Sequence, residues 1–428
     1  MRARRCPRQS PNSRRVPSGS WSSGFGAAFA SPDARNLCDL PASESKCRVP
    51  EPRNRIEPGP LRVGIAGVGN VGSAHARELA AGRVPGAALV AVADTKPSAL
   101  AAFPEARPFA SGADLIASGA VEALLIATPH YAHTPLAIQA LHAGLHVLVE
   151  KPLAVHKADC LKMIAAYEQR PDPRQVFAEM LSFRIDPAVL HLRALLRSGA
   201  LGRLRRISWL STHWFRSDAY FKDSDWRGTW SGEGGGVLLN QCPHQLDLWQ
   251  WLFGMPRQVH AFCGFGRFHA IEVEDQVTAY LHYADGLNGV FIASTGEAPG
   301  TNRLEVSGDL GKVVLDAQGL GFTRNAAPAS AYIVENPGRN ALPPTTEELL
   351  TFPTLENPRR AVLTNFVATI LQGEALIAPA TEGMASVELA NAMIYSAITE
   401  QTVTLPLDPA LYATQLQRLV QGSAGPRS

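Results

Sequence analysis

Apolar and polar positions in the first half of the chain form short apolar runs that alternate with helical segments. The apolar runs begin with LRVGIA at Leu61 and continue with ALVAVAD, VEALLIATP, HVLVEKP and QVFAEMLSFR. Between them lie SAHARELAAG, HTPLAIQALHAG and ADCLKMIAAYEQR, which have helical character. Because strands that alternate with helices form parallel sheets through right-handed crossovers, we expect an α/β domain with a parallel sheet.

The second half carries consecutive strand-like runs with few helices between them. These runs are RLRRISWLSTHW, QVHAFCGFGRF, DQVTAYLHYADGLNGVFIAST and NRLEVSGDLGKVVLD, and the pair Asp285-Gly286 inside the third is a typical hairpin turn. Successive strands without helices form antiparallel sheets, so we expect a second domain of the α+β class. The run RRAVLTNFVATILQG and the later GMASVELANAMIYSAITEQ are helical in character, and the Pro- and Asn-rich stretch from about Pro328 to Pro358 predicts a long loop.

These patterns divide the chain into four parts. The predicted parts are a leader (residues 1–60), a first domain (residues 61–182), a second domain (residues 183–408) and a C-terminal tail (residues 409–428). The leader is rich in Arg, Ser and Pro without a sustained period, which favours a disordered extension and a cytoplasmic protein. Arg14-Arg15 followed by GSWSSGFGAAFA also resembles a twin-arginine export signal, and the Arg-rich, acid-poor start resembles an organellar transit peptide.

Composition and charge exclude several classes of protein. Apolar residues make up 46% of the 428 residues, and no apolar run approaches the roughly 18–20 residues that cross a bilayer. Residues 1–60 hold 11 Lys or Arg against 5 Asp or Glu, whereas the rest of the chain holds 29 against 33. This mildly acidic body argues against a nucleic-acid partner. The six cysteines show no paired spacing, and Gly144 separates His142 from His146, so we expect neither a disulfide framework nor a metal site.

A glycine pattern stands between the first predicted strand and the first predicted helix. Gly67, Gly69 and Gly72 form G-x-G-x-x-G, and Asp94 ends the next strand, 22 residues after Gly72. The first glycine permits a tight turn, the second lets the backbone approach a pyrophosphate, and the third lets helix and strand pack closely. The helix N-terminus then directs its positive dipole end at the phosphates. Asp94 would accept hydrogen bonds from ribose hydroxyls, so we expect a dinucleotide site; a turn that binds no ligand is the alternative.

Two further motifs carry candidate chemistry. Lys151 is the centre of E-K-P at a strand end, where ligands of an open parallel sheet collect, and its ammonium can point at a substrate hydroxyl beside a nicotinamide. In GGGVLLNQCPHQLDLWQWLFG, the residues Asn240, His244 and Asp247 share one face if the segment is helical. A neutral histidine near a helix N-terminus can serve as a base. The alternatives are a surface lysine and a histidine with a structural hydrogen bond.

Taken in order, these motifs resemble those of the Gfo/Idh/MocA oxidoreductases, named for glucose–fructose oxidoreductase and inositol dehydrogenase. The resemblance runs from about Leu61 to Asp408 and includes G-x-G-x-x-G, T-P-x-x-x-H, E-K-P, GGG-x-L before His244, NFVATILQGE and the closing LPL. It implies an N-terminal Rossmann domain with a doubly wound parallel sheet. A C-terminal α+β domain with a large, mostly antiparallel open sheet would follow. The implied chemistry is reversible hydride transfer between NAD(H) and a carbinol of a sugar, cyclitol or related polyol.

The resemblance also implies roles for individual residues. Lys151 would orient and polarise the reacting hydroxyl, and His244 would be the general acid/base. Many members carry Asp where this chain has Asn240, and an amide cannot take up a proton. The segment HWFRSDAYFKDSDWRGTW should line the substrate pocket. The expected substrate-binding residues are Asn240, Asp247, Arg184, Tyr220, Trp226 and Arg227. The expected cofactor-binding residues are Gly67, Gly69, Asn70, Val71, Gly72, Asp94, Thr128, Pro129, His133, Glu150 and Lys151.

Three functions fit these residues. The first is an NAD-dependent oxidoreductase acting on CH–OH groups, with NADP disfavoured because Asp94 would repel a 2′-phosphate. The second is a glycoside hydrolase or lyase that keeps NAD bound and oxidises its substrate transiently. The third is a non-catalytic NAD-sensing regulator, against which the presence of Lys151 and His244 argues. The expected partners are a sugar or polyol and further copies of the chain, as a homodimer or homotetramer through the open sheet, and not nucleic acid or a membrane.

Overall fold

The described residues form two sheets with different connectivity. The computed structural model describes residues 59–335 and 338–422. The three interpretations of the leader therefore fall on residues that, up to residue 58, lie outside the described part of the chain.

The strands and helices follow the order that the sequence pattern predicts. The strands are β1 (Leu61–Ala66), β2 (Ala87–Ala93), β3 (Arg107–Phe109), β4 (Ala123–Ile126), β5 (His146–Val149), β6 (Phe177–Glu179), β7 (Leu204–Ser211), β8 (Gln258–Phe265), β9 (Glu274–His282), β10 (Asn288–Ser294), β11 (Asn302–Gly308), β12 (Gly311–Asp316), β13 (Gly319–Asn325), β14 (Thr345–Leu350) and β15 (Val403–Thr404). The α-helices are α1 (Asn70–Ala80), α2 (Pro97–Leu100), α3 (Gly112–Ala117), α4 (His133–His142), α5 (Lys157–Glu168), α6 (Pro187–Arg197), α7 (Asp218–Lys222), α8 (Pro243–Phe253), α9 (Ala329–Glu335), α10 (Pro358–Gln372), α11 (Ala380–Thr399) and α12 (Pro409–Gly422). Among the helices described, none has both the length and the apolar character needed to cross a membrane.

The first sheet has six parallel strands in the order β3-β2-β1-β4-β5-β6. This confirms the predicted parallel sheet of a Rossmann fold. β1 is apolar because helices cover both faces of the sheet, and Leu61 and Ile65 have no exposed surface. The strand order reverses beside β1, between β2 and β4, and ligands of such sheets bind at the carboxyl ends of the strands next to that reversal.

The second sheet has nine strands in the order β14-β13-β12-β11-β7-β10-β9-β8-β15. β7 and β10 run parallel, and the other neighbouring pairs run antiparallel, which confirms the predicted mostly antiparallel sheet. One face packs on α8 and α11, where Trp249 and Phe291 are fully buried. The other face is open, with Phe262 70% exposed and Tyr280 47% exposed.

Two segments contain more structure than the sequence predicts. The stretch expected to be a long loop contains α9 and the edge strand β14, which pairs with β13. The residues of β14, TTEELL, are almost all exposed, so the strand lacks the alternation of apolar and polar positions that would have revealed it. The predicted tail contains α12, in which Tyr412 and Leu416 are buried.

Helix α10 returns from the second half of the chain to the first sheet. Its residues Val362, Leu363 and Phe366 are buried in one cluster with Leu61 and Ile65 of β1. Part of the predicted second domain therefore completes the core around the first sheet. The domain boundaries themselves stay a prediction.

Candidate active site

A cleft of about 1590 Å³ lies at the carboxyl ends of the strands of the first sheet, and residues from both halves of the chain line it. The sequence-predicted residues in its wall are Gly67, Gly69, Asn70, Val71, Asp94, Thr128, Pro129, His133, Glu150, Lys151, Tyr220, Trp226, Arg227, Asn240 and His244. The predicted residues outside its lining are Gly72, Arg184 and Asp247. The structure therefore brings most of the predicted site together.

The glycine turn after β1 leaves its backbone open to a ligand. Gly67 has a φ of +85°, and a Cβ on it would stand 2.7 Å from the carbonyl oxygen of Ala127. A Cβ on Gly72 would stand 1.8 Å from the oxygen of Gly67, so this glycine serves helix packing. At Gly69 a Cβ would meet nothing within 4 Å. Since α1 begins at the next residue, its positive dipole end faces the cleft, as a pyrophosphate requires.

Asp94 follows β2 and is fixed by two backbone N–H groups. Its Oδ2 accepts a hydrogen bond from Val68 N at 2.9 Å, and its Oδ1 accepts one from Lys96 N at 2.9 Å. The first of these bonds ties the carboxylate to the glycine turn. A carboxylate beside such a glycine turn offers the acceptor oxygens that the hydroxyls of an adenosine ribose need, so these residues fit a dinucleotide.

His133 connects two turns of the cleft through its ring. Its Nδ1 lies 2.9 Å from the backbone oxygen of Pro152, and its Nε2 lies 2.9 Å from the backbone oxygen of Thr128. Both ring nitrogens thus lie within hydrogen-bond distance of backbone oxygens, the residue still lines the cleft, and its contact with the cofactor stays a prediction. The hydroxyl oxygen of Thr128 is buried without a protein partner, so it can bond to a bound cofactor.

Glu150 is a buried carboxylate held in its ionised form. Oε1 of Glu150 lies 2.8 Å from Nε2 of His75, and Oε2 accepts a hydrogen bond from Lys151 N at 3.2 Å. Burial opposes ionisation, but the hydrogen bond from His75 and the charge of Lys151 outweigh it and lower the pKa of Glu150 to about 2. His75 lies on α1 and belongs to no motif, so no local pattern predicts its contact with Glu150.

Lys151 joins the two halves of the cleft. Its Nζ donates a hydrogen bond to the backbone oxygen of Asn240 at 2.6 Å. Burial lowers the pKa of Lys151, and the neighbouring Glu150 acts in the opposite direction. The lysine of the first sheet is thereby fixed against the segment that carries the candidate base.

The segment of Asn240 is an irregular turn rather than a single helix. A π-helix covers Val237–Gln241, the helix breaks at Cys242, and α8 begins at Pro243 in the N-terminal position that the sequence predicts for a proline. The buried Glu274 holds this turn, because its carboxylate accepts hydrogen bonds from Gly236 N at 2.9 Å and Leu238 N at 3.0 Å. This irregular geometry places Asn240 in the cleft.

Asn240 belongs to a polar network that the sequence did not reveal. Its Nδ2 donates to the buried carboxylate of Glu233 and lies 3.3 Å from the hydroxyl of Tyr220. Glu233 also accepts a hydrogen bond from Gly228 N at 2.7 Å. Burial raises the pKa of Glu233 to about 7, against the effect of these hydrogen bonds. The carboxyl group of Glu233 therefore contacts the side-chain amide of Asn240, which itself lines the cleft.

His244 lies in the first turn of α8 and forms the wall of the cleft. Its ring stacks on Phe183, with ring centroids 4.4 Å apart and planes 16° apart. Burial, and then the charge of Lys151, lower the pKa of His244 to about 3, so its imidazole is neutral at neutral pH. Its Nδ1 is buried and has no hydrogen-bond partner among the described residues, while the residue itself lines the cleft.

Arg184 and Asp247 form a buried ion pair, so the structure corrects their prediction as substrate-binding residues. The guanidinium of Arg184 donates to Asp247 at 2.6 and 2.8 Å, and a third bond reaches Glu382. The side chain of Arg184 has no exposed surface. This pair connects α8 with the short 3-10 helix Ser182–Ile185, so it supports the stack of His244 on Phe183. The spacing of Asp247 from Asn240 and His244 did not reveal that its side chain pairs with Arg184 in the core.

Other cleft residues arrive from distant parts of the chain. Phe183 stands just before the second half, and Asn357 and Arg359 stand at the start of α10. None of them has a motif, because a contact between remote segments leaves no local pattern. Trp230, at the end of the predicted pocket segment, packs on Phe265 and is buried outside the cleft lining.

Two family models match consecutive parts of the chain. Residues 61–177 match the oxidoreductase family with an NAD-binding Rossmann fold, and residues 189–314 match the GFO/IDH/MocA C-terminal domain. The chain belongs to the Gfo/Idh/MocA oxidoreductase family. Together the two models cover more than half of the chain, and they confirm the predicted Gfo/Idh/MocA membership and NAD as the cofactor of the Rossmann fold.

Curated relatives match part of the chain. The 1-carboxy-3-chloro-3,4-dihydroxycyclohexa-1,5-diene dehydrogenase of Comamonas testosteroni is 34% identical over 204 residues, which cover 46% of this chain and 49% of the relative. Inositol 2-dehydrogenase of Acidothermus cellulolyticus is 33% identical over 209 residues, which cover 48% of this chain and 57% of the relative. The chain thus spans about half the length of the curated relatives it matches.

Crystal structures extend the likeness over most of the fold. The WlbA dehydrogenase from Bordetella pertussis, in complex with NADH and UDP-GlcNAcA, has a TM-score of 0.68 and 26% identity and covers 82% of this chain and 100% of its own. Levoglucosan dehydrogenase, in complex with NADH and levoglucosan, has a TM-score of 0.65 and 21% identity and covers 81% of this chain and 100% of its own. The second likeness supports the fold alone.

Proposed function

We propose that this chain is an NAD-dependent oxidoreductase that interconverts a carbinol and a carbonyl on a sugar, cyclitol or related polyol. The observation that carries the proposal is the meeting of Lys151 and His244 in one cleft. These residues come from different halves of the chain, and the cleft also contains the glycine turn and Asp94. A dinucleotide site and an acid/base pair in one cleft are the parts that hydride transfer needs.

The proposed chemistry assigns a separate task to each residue. When bound, the nicotinamide supplies the hydride acceptor for oxidation and the hydride donor for reduction. Loss of hydride from the carbinol carbon must be accompanied by loss of the hydroxyl proton, so that the product is a neutral carbonyl. His244 is neutral and lines the cleft, so its imidazole takes this proton. The ammonium of Lys151, fixed by the carbonyl of Asn240, stabilises the negative charge that develops on oxygen.

The names of the relatives support a substrate with hydroxyls on a ring. The relatives above act on a dihydroxycyclohexadiene and on inositol according to their names. In this chain, Tyr220 and Trp226 line the cleft and offer apolar ring faces to the C–H surface of such a substrate.

A substrate panel tests the proposal. Purified protein is mixed with NAD⁺ and with sugars, cyclitols, other polyols and sugar acids, and NADH formation is followed by its absorbance. The expected result is steady accumulation of NADH with at least one compound. Product formation without accumulation of NADH would refute the proposal and favour the hydrolase or lyase, which returns the hydride to its substrate. Binding of NADH with turnover of no compound would favour the sensor.

We further propose that the open face of the second sheet pairs two copies of the chain. Phe262 of β8 stands opposite Thr278 of β9 in the register. Tyr280 is two residues from Thr278 on the same strand, so Phe262 and Tyr280 lie on the same exposed face of the sheet. Exposed aromatic residues on a sheet face are typical of an interface. Light scattering should report a dimer or tetramer that Phe262→Glu dissociates, and a wild-type monomer would contradict the proposal.

A further inference from the structure

Two arginines in the cleft lie against aromatic rings. The central guanidinium carbon lies 4.9 Å from the centroid of the Tyr220 ring for Arg216 and 4.4 Å for Arg227. A second ring accompanies each cation, with Trp214 at 5.7 Å from Arg216 and Trp226 at 5.2 Å from Arg227. Stacking of this kind fixes the plane of a guanidinium and removes part of its hydration. Both cations are therefore oriented before any ligand binds.

Neither cation is neutralised by a close carboxylate. Arg216 forms no ion pair with any residue that the structure describes, and its Nη1 donates to the backbone oxygen of Phe215. The acidic partner of Arg227 is Asp223 at 3.8 Å, whose side chain is 72% exposed, so solvent screens this pair. The Nε of each arginine is buried without an acceptor. The two guanidinium groups thus contact the same Tyr220 ring and repel each other, and a bound anion would reduce this repulsion.

The buried carboxylate of Glu233 is already engaged by other donors. Glu233 accepts its hydrogen bonds from Gly228 N and from the amide of Asn240 rather than from Arg216 or Arg227. The positive charge in the wall is therefore directed at the cleft and at whatever occupies it.

The arginine pair stands next to the residues of the proposed reaction. The hydroxyl of Tyr220, whose ring both cations contact, lies 3.3 Å from Nδ2 of Asn240 and 3.4 Å from Nε2 of Gln241. The backbone oxygen of Asn240 in turn accepts the hydrogen bond of Lys151. A molecule whose hydroxyl meets Lys151 would place its neighbouring substituents against Arg216 and Arg227.

We propose that the substrate carries a carboxylate and that Arg216 and Arg227 bind it, so that the enzyme oxidises a sugar acid or a related hydroxylated carboxylic acid. The proposal rests on the proposed function and narrows its substrate class. A guanidinium presents two parallel N–H groups at the spacing of the two oxygens of a carboxylate. A neutral sugar would leave both cations without a counter-charge in a partly desolvated wall, whereas the single negative charge of an acid would offset half of their positive charge.

Matched substrate pairs test the proposal. The wild-type protein is assayed with NAD⁺ and with glucuronate against glucose, galacturonate against galactose, and gluconate against glucitol, and each sugar phosphate is added as a third arm. The expected result is a higher kcat/KM for the acid of at least one pair. Arg216→Gln and Arg227→Gln should each lower kcat/KM for that acid by about 10²-fold, the usual effect of removing one partner of a desolvated charge pair. The same variants should change kcat/KM for the neutral sugar far less.

The control is Arg267→Gln. Arg267 also lies against a ring, with its guanidinium carbon 5.6 Å from the centroid of Phe268, but it is outside the cleft lining. This variant should keep the preference for the acid. A preference for the neutral sugar or for the sugar phosphate would overturn the proposal, and so would equal losses on acid and neutral substrate in the two cleft variants.

The failure of the proposed function can be distinguished from the failure of this inference. If no compound reduces NAD⁺, calorimetry with the NADH-bound protein and each acid and neutral sugar decides the question of the carboxylate. Binding of an acid that Arg216→Gln and Arg227→Gln abolish would support the carboxylate site without the reaction. Equal binding of acid and neutral sugar, or no binding of either, would overturn it. Fluorescence of bound NADH in each variant shows that the fold is intact.

Discussion

The two ends of the cleft are built from different parts of the polypeptide. At the cofactor end, backbone geometry dominates, because Gly67 and Gly72 permit contacts that a Cβ would block and two N–H groups fix Asp94. At the substrate end, side chains dominate, and the network of Asn240 and Glu233 is assembled on an irregular π-helix. A site made by the backbone constrains residue types at fixed spacing and so leaves a motif. A site made by side chains from distant segments leaves little in the sequence.

The largest expected effect comes from removal of the candidate base, which should impair catalysis at the substrate end and leave binding at the cofactor end intact. His244→Ala should lower kcat by about 10²–10⁴-fold, because proton transfer loses its acceptor. The affinity for NADH should not change, since His244 is remote in sequence and in function from the glycine turn. Stopped-flow turnover and NADH fluorescence titration measure the two quantities. A variant that keeps more than a tenth of wild-type kcat would refute the role of His244 and direct attention to Lys151 or Tyr220.

Each end also holds a buried glutamate, and the pKa values of the two glutamates are shifted in opposite directions. Burial raises the pKa of Glu233 from 4.5 to about 7, so folding takes up a proton and its contribution to the free energy of unfolding falls as the pH rises between these values. Glu233→Gln has no titratable group at this position. Relative to wild type, its free energy of unfolding should therefore rise by up to about 3 kcal/mol between about pH 5 and pH 8.

The matched control at the cofactor end is Glu150→Gln. The pKa of Glu150 is lowered to about 2, so the carboxylate stays ionised in the folded protein over this range and its removal should not abolish the wild-type slope. Urea denaturation of the wild type and of both variants at pH 5 and pH 8 measures the six free energies of unfolding. A slope unaltered by Glu233→Gln would show that this carboxyl is not protonated on folding.

Two glycines of one motif should respond differently to a methyl group. Gly72→Ala places a Cβ 1.8 Å from the oxygen of Gly67 and should destabilise the fold by about 1–3 kcal/mol through overpacking. Gly69→Ala meets no protein atom within 4 Å, so it should leave the melting temperature unchanged and weaken NADH binding alone. Thermal melts of the two ligand-free variants, with NADH titrations beside them, check this contrast. Equal loss of stability in both would contradict the separate roles of the two positions.

The smallest of these effects concerns the choice between NAD and NADP. Asp94→Ser removes the charge that would repel a 2′-phosphate, so the ratio of kcat/KM for NADP⁺ to that for NAD⁺ should rise by about 10-fold or more. Initial rates with both cofactors measure the ratio. A wild-type protein that already prefers NADP⁺ would contradict the role given to Asp94.

The sequence predicted the first sheet and the glycine turn at its edge, for a physical reason. Buried parallel strands are continuous apolar runs, and the glycines of a turn have no substitutes. The substrate end was predicted in part. Asn240 and His244 line the cleft as expected, but Arg184 and Asp247 are turned away into an ion pair. Spacing along a helix gives the face of a residue but not the environment of that face.

Glu233 is a residue of the substrate end that the local sequence pattern did not reveal. It stands in the run GEGGG, where an acidic residue is expected to lie in a solvent-exposed turn. In the fold it is buried, because Asn240 and Gly228 lie against its carboxylate. Its role depends on contacts that exist only after folding. Helix α10 is similar, since nothing in its sequence says that it packs on β1, almost 300 residues earlier.

The position of helix α10 determines how this chain could be recombined with its relatives. The first sheet spans residues 61–179, but Leu363 and Phe366 of α10 fill part of its core and are 0% and 1% exposed. A gene fragment that encodes residues 61–182 alone would leave that part of the core open to water. A chimaera that exchanges the cofactor-binding half must therefore exchange two separate stretches of coding sequence, and a crossover at a single junction would join a sheet to a helix selected to fit another one.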